Sequence, residues 1–182
     1  SRSSAPVRMP SLSEAERRVL EALAVLGRPA PLDLLETLVP RSPRGRDTFD
    51  ALEALVRRGV LAEDVDAFCF RSGSVHASFL GAMAADARKA LHRRVALVLA
   101  EREPAAIREI AHHWLESDQP ARALPVAIEA ARELARGHED RTALRFYAAV
   151  LEHLPAGDTR GLPIAEEAAN ACLRTGEFHR GA

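Results

Sequence analysis

Apolar residues recur along this chain at two different periods, and the change from one to the other sets out the expected elements. Ser11-Leu12-Ser13-Glu14-Ala15-Glu16 puts serine ahead of acidic first-turn residues, so a helix opening there has both a cap and a favourable dipole. Val19, Leu20, Leu23, Ala24 and Leu26 then form one stripe, which ends at Gly27. Pro31 opens a second, short helix carrying Leu32, Leu34, Leu35, Leu38 and Val39, and Pro40 stops it. A third helix, over about 44–58, is expected to bury Phe49, Leu52, Leu55 and Val56 before Gly59 ends it. Beyond Gly59 the period shortens. Residues 60–63 and 67–71 are β-favouring runs separated by Asp64-Val65-Asp66, which predicts a hairpin.

From about Asp86 the helical period returns, with Leu91, Val95, Val98 and Leu99 on one face and arginines 88, 93 and 94 beside it. Glu103-Pro104 breaks that helix. Helical stretches then alternate with short turns near 105–117, 121–136, 140–153 and 162–175. In Ile107, Ile110-Ala111, Trp114, Asp118, Ala123, Ala127 and Ala130, small residues fall where two antiparallel helices must approach closely, a spacing that matches tetratricopeptide repeats. Ala143, Phe146-Tyr147, Leu151 and Pro155 repeat half of that plan, and Gly176-Glu177-Phe178 reads as the turn into a further helix. Such repeats bury a continuous core only by stacking on neighbours.

The expected fold class is therefore mainly α. A tail over 1–10, expected to be disordered, precedes a winged-helix-like domain at 11–84, built as three helices and a small β-hairpin. A linking helix at 85–103 leads to tetratricopeptide-like helical repeats at 104–182. The opening Ser-Arg-Ser-Ser and the ending without an obvious stop suggest a fragment of a longer chain, with the repeats truncated at the C-terminus. Leu162, Ile164, Ala168, Cys172 and Leu173 would then be partly uncovered, and the C-terminal helix is expected either to fray or to cover itself by self-association with another copy of the chain.

Composition narrows the function classes. With 182 residues and 47% hydrophobic content the chain can bury one medium core or two small ones without staples. Cys69 and Cys172, about a hundred residues apart, fit neither a disulfide framework nor metal spacing and read as small buried hydrophobes. No apolar run approaches the roughly 20 residues a bilayer span needs, and nothing resembles a signal peptide, so no membrane is expected and a cytoplasmic setting is. Up to Arg94 there are 15 Lys+Arg against 12 Asp+Glu, and from Val95 onward 10 against 14. Neither excess demands nucleic acid or a membrane.

Several motifs, in order, resemble the region that follows the ATPase module in large STAND-type signalling ATPases, among them the large LuxR-type transcriptional regulators and kinase- or cyclase-linked relatives. They are Glu16-Arg17-Arg18-Val19-Leu20 with Ala24-Val25-Leu26-Gly27, Leu55-Val56-Arg57-Arg58-Gly59-Val60-Leu61, Phe68-Cys69-Phe70-Arg71, Leu91-His92-Arg93-Arg94-Val95-Ala96 and Ala111-His112-His113-Trp114. The resemblance implies a winged helix, a linking helix and a helical-repeat sensor arm that relays partner or inducer binding to the ATPase. Ser72 stands where that family usually carries a histidine.

Chemistry is sparse. A phosphate-binding loop needs glycines and a lysine, and Lys89, the only lysine, lies in Ala87-Arg88-Lys89-Ala90 without them. Glu109-Ile110-Ala111-His112 has the Glu-x-x-His spacing of di-iron bundles, but no second copy exists. One of His112 and His113 is expected beside Trp114 in the core and the other in solvent, and His92 is expected to pack or hydrogen-bond. No Gly-x-Ser-x-Gly is present. No catalytic, cofactor-binding or metal-binding residue, no cofactor, and no enzyme activity is therefore expected.

DNA reading by the third helix would rest on arginines 44, 46, 57 and 58, yet Asp47, Asp50 and Glu53 share its exposed face and Glu63, Asp64 and Asp66 make the hairpin acidic. Protein partners are the expectation instead: the upstream ATPase domain and an unidentified protein on the repeat surface. The residues that bind them are not legible, and a DNA-binding winged helix with a helical dimerisation arm is the alternative.

Overall fold

A computed structural model describes residues 11–39 and 47–176. The expected tail at 1–10, Pro40, Arg44, Arg46 and the Phe178 turn lie outside the described residues. Two compact units divide the chain, Ser1–Ala84 and Ala85–Ala182. Nine α-helices among the described residues and one three-stranded antiparallel sheet make the protein mainly helical.

In the first unit, α1 (Glu14–Leu26) begins at a complete capping box. The Ser13 hydroxyl accepts from the Glu16 N–H, and the Glu16 carboxylate accepts from the Ser13 N–H at 2.7 Å. Gly27, at φ 74°, ends the helix in the left-handed conformation and donates to the Leu23 carbonyl. Packed on α1 are α2 (Leu32–Leu38) and α3 (Asp47–Arg57), and Val19, Leu20, Leu34, Leu35, Leu52 and Leu55 form the centre of the core. A Schellman turn closes α3: Val60 N–H donates to the Leu55 carbonyl and Gly59 N–H to that of Val56, with Gly59 at φ 69°.

The third helix differs from expectation on its buried face. Phe49 remains 42% exposed and Val56 half-buried, because the stripe turned toward the core is Ala51, Leu52 and Leu55. At about 100° per residue, Phe49 falls well round the helix from that stripe.

The hairpin forms from β2 (Leu61–Asp64) and β3 (Ala67–Phe70), paired Leu61 to Phe70 through Asp64 to Ala67. A short strand not expected from the sequence, β1 (Ala30–Pro31), pairs with the other edge of β3, giving the order β1-β3-β2. Two residues, one of them proline, carry no readable period. Another unexpected element is α4 (Gly73–Ala82), which packs on α1, with His76 Nε2 2.9 Å from the Ala24 carbonyl. None of its residues is fully buried, so no stripe marks it.

Val65 and Asp66 both have positive φ, 42° and 63°, the geometry of a two-residue type I′ turn that favours Asn-Gly. A β-branched residue there is strained, and Val65 is 90% exposed, so nothing buried holds it in place. Replacing the pair, Val65→Asn with Asp66→Gly, is expected to raise unfolding free energy by about 1 kcal/mol in chemical denaturation, the order of cost of one such backbone position. No gain would show that the turn carries no strain.

The second unit opens with α5 (Ala85–Arg102), which belongs to it and packs against α6 (Ile107–Leu115). A 3-10 turn, Pro120–Ala123, runs directly into α7 (Leu124–Arg136), followed by α8 (Asp140–His153) and α9 (Gly161–Thr175). Each helix packs on the one before it. Ala111, Ala123, Ala127, Ala130 and Ala143 are wholly buried, so these contacts run between nearly bare backbones. Trp114 is buried under the Arg122 guanidinium, 5.3 Å from the ring centre. Ile164 is buried rather than partly uncovered, and Leu151 is 37% exposed.

Candidate functional site

Three consecutive helices meet around one polar cluster. Arg132 on α7 makes a two-pronged contact with Glu167 on α9 at 2.7–3.2 Å, and the Tyr147 hydroxyl on α8 donates to the same carboxylate at 3.1 Å. Arg174 on α9 grips Asp140 at the start of α8 through bonds of 2.6–3.0 Å. The Arg132 bond holds the Glu167 carboxyl below its ordinary value against the opposing effect of burial, and the Arg174 bond does the same for Asp140. Burial and the adjacent Glu167 push the Tyr147 hydroxyl up to about 12, so it stays a donor.

Arg132, Tyr147, Glu167 and Arg174 line a groove of 540 Å³ with Ala135, Arg136, His138 and Asn170. Arg132 and Arg174 are paired with Glu167 and Asp140, which leaves Arg136 as the cation in excess along its lining. His138 sits at φ 61° while its neighbour Gly137 has an ordinary φ of −80°. The turn between α7 and α8 is thus left-handed at a histidine although glycine stands next to it. Strain of this kind persists where the surroundings fix it, and it concentrates at functional positions.

A second polar cluster lies within the α5–α6 hairpin. His92 is buried on the α5 stripe with Val95, Ala96 and Leu99, and its Nδ1 is 2.9 Å from Nδ1 of buried His113. The exposed His112 ring lies edge-on to His92, centroids 5.9 Å apart. Burial, helped by His112 and Arg88 against the pull of Glu116, pushes the His92 pKa down to about 4. The histidine pair divides between core and solvent as its flanking residues suggest. Glu109 is not part of the group; His92, 20 residues before His112, takes that place.

Other residues singled out by sequence fall outside both clusters. Lys89 is exposed on α5, Cys69 and Cys172 are half-buried and unpaired rather than core residues, and the Ser72 hydroxyl contacts that of Ser74 at 2.8 Å. Cys69 lies on the strand face opposite buried Phe68, and Cys172 sits one position off the buried Ala171. In the third helix, Arg57 pairs with Glu53 and Arg58 with Glu16, while Asp50 and Glu53 are exposed. Hairpin residues Glu63, Asp64 and Asp66 face solvent. Among the described residues no helix is long and apolar enough to cross a membrane. Comparison with protein-family models, with curated proteins and with solved structures gives no match.

Proposed function

We propose that this chain is a non-catalytic, cytoplasmic interaction and relay module of a STAND-type signalling or transcription-regulating ATPase, its first unit a winged helix that contacts the ATPase domain and its second a tetratricopeptide-like array that receives a protein partner. The observation that carries the reading is the groove on α7, α8 and α9. It combines one arginine, Arg136, beyond the two held in ion pairs, a buried tyrosine floor and a histidine with left-handed backbone at its edge. Ion pairs fix Arg132 and Arg174 in place, so little side-chain freedom is lost when an acidic segment of a partner binds. The alternative, DNA binding by the first unit, meets the exposed carboxylates of α3 and the hairpin, which would face phosphate.

The outer face of α9 supports self-association as a further property. Leu162 and Leu173 are 71% and 59% exposed and, being eleven residues apart, share one side of the helix.

Fluorescence anisotropy with glutamate-rich peptides, lysine-rich peptides and duplex DNA tests the proposal. The acidic peptides are expected to bind, Arg136→Glu to weaken them by about tenfold or more, the order of a lost charged contact, and DNA not to bind. His138→Gly keeps the left-handed turn, so its effect on binding reports the side chain alone. Binding of DNA that falls steeply with salt, or acidic peptide binding indifferent to Arg136, overturns the reading. Sedimentation velocity on the same samples checks α9, where a monomer at every concentration removes self-association.

A further inference from the structure

We infer that His92, His112 and His113 form a binding site for a divalent transition-metal ion of the zinc type. The trio is drawn together by packing: α5 and α6 are antiparallel neighbours, and His92 presents its ring between two histidines that are adjacent in sequence. Their candidate ligand nitrogens all lie within 4.8 Å of one another. Adjacent residues on a helix diverge by about 100°, so the point their two rings share lies beside the helix, where a neighbouring helix can add a third ring. His92 supplies that third ring, at centroid distances of 5.9 Å from His112 and 5.1 Å from His113.

Zinc bound tetrahedrally at about 2.0–2.1 Å needs ligand nitrogens about 3.3–3.4 Å apart. The His92 to His113 separation of 2.9 Å is already near that value. His112 is the exposed member, so turning its ring inward closes the remaining gap without disturbing the core. An N–H···N bond between two buried imidazoles needs one ring to give up its lone pair to the other's proton. When the metal binds, the donor ring changes tautomer and both Nδ1 lone pairs face the ion. The imidazole set favours zinc, nickel or copper over magnesium and calcium, which take oxygen ligands. Three protein ligands leave one coordination position open, and Glu116, four residues after His112 on the same helix side, supplies negative charge close to His92, opposed by Arg88.

The experiment uses the full chain free of any affinity tag, titrated calorimetrically with zinc chloride, and with cobalt chloride followed by visible absorption. One zinc per chain and the intense visible bands of tetrahedral cobalt are expected, with no heat from magnesium. His112→Ala removes only a solvent-exposed ring, so it folds; it is expected to lose more than the roughly 10–100-fold that even an outer partner of a metal ligand contributes. His113→Gln checks the buried ligand, with circular dichroism confirming the helices. Absence of zinc uptake by the unaltered chain overturns the site, and so does unchanged affinity in the His112→Ala variant.

Discussion

Ala130→Leu is expected to cost about 1–3 kcal/mol of unfolding free energy, the usual result of forcing three extra carbons into a filled contact. For a unit near 100 residues that corresponds to a melting-temperature loss of about 4–8 °C per kcal/mol. Ala130 has no exposed surface, and α7 packs against both α6 and α8. Its neighbours Ala127 and Ala131 are equally covered, so a leucine at 130 points into a packed face of the helix and away from its solvent side. Ala148→Leu is the control, because Ala148 faces solvent on α8. Differential scanning calorimetry of both variants reads the contrast. Equal tolerance at the two positions would show that small residues are not what sets the helix spacing.

The same alanines explain how much of the second unit was legible. A residue whose size is fixed by backbone approach leaves a spacing in sequence, and the turns near 118, 138 and 155 divided the helices within a few residues of their observed bounds. Elements without such a constraint left no mark. The helix at Gly73–Ala82 carries glycines at both its ends and buries no residue, so neither period nor cap announces it. Phe49 is as apolar as a core residue, yet the stripe running through Ala51, Leu52 and Leu55 decides which way α3 turns.

The polar clusters were hidden for a different reason. His92 and His113 are 21 residues apart, and Arg132 and Glu167 are 35 apart, so their pairing depends on which helices become neighbours. A signal was nevertheless available for the histidines. His92 lies three residues before Val95 and seven before Leu99, and His113 lies three after Ile110, so each stands within the apolar stripe of its own helix. A polar residue buried in an apolar stripe needs a hydrogen-bond partner, and a second one in the stripe of the next helix is a candidate for it. The choice of partner for each arginine had no counterpart signal, since 24 arginines and 26 acidic residues permit many pairings.

Glu16→Ala is expected to destabilise the first unit by about 2–4 kcal/mol, combining loss of a capping box with loss of a charged hydrogen bond. Its carboxylate is buried, accepts from the Ser13 N–H at 2.7 Å and from Arg58 at 2.6 Å, and so ties the start of α1 to the end of α3. Glu16→Gln retains a capping acceptor but loses the charge opposite Arg58, and a smaller loss is expected. Arg58→Ala leaves the buried carboxylate without its counter-charge, so a double-mutant cycle with Glu16→Gln is expected to show coupling rather than additivity. Burial raises the Glu16 pKa, but the bonds from the Ser13 N–H and Arg58 outweigh it and hold the group below its ordinary value. The folded chain therefore binds that proton less readily than the unfolded one. The stability gained from Glu16 is present above the ordinary carboxylate pKa and is lost as pH falls through the lowered one. Urea unfolding of the parent chain and Glu16→Gln at descending pH should converge in that acidic range and stay apart near neutrality. A gap that persists unchanged into acid would mean that the carboxylate acts through shape and capping alone, with Arg58 contributing nothing to its charge.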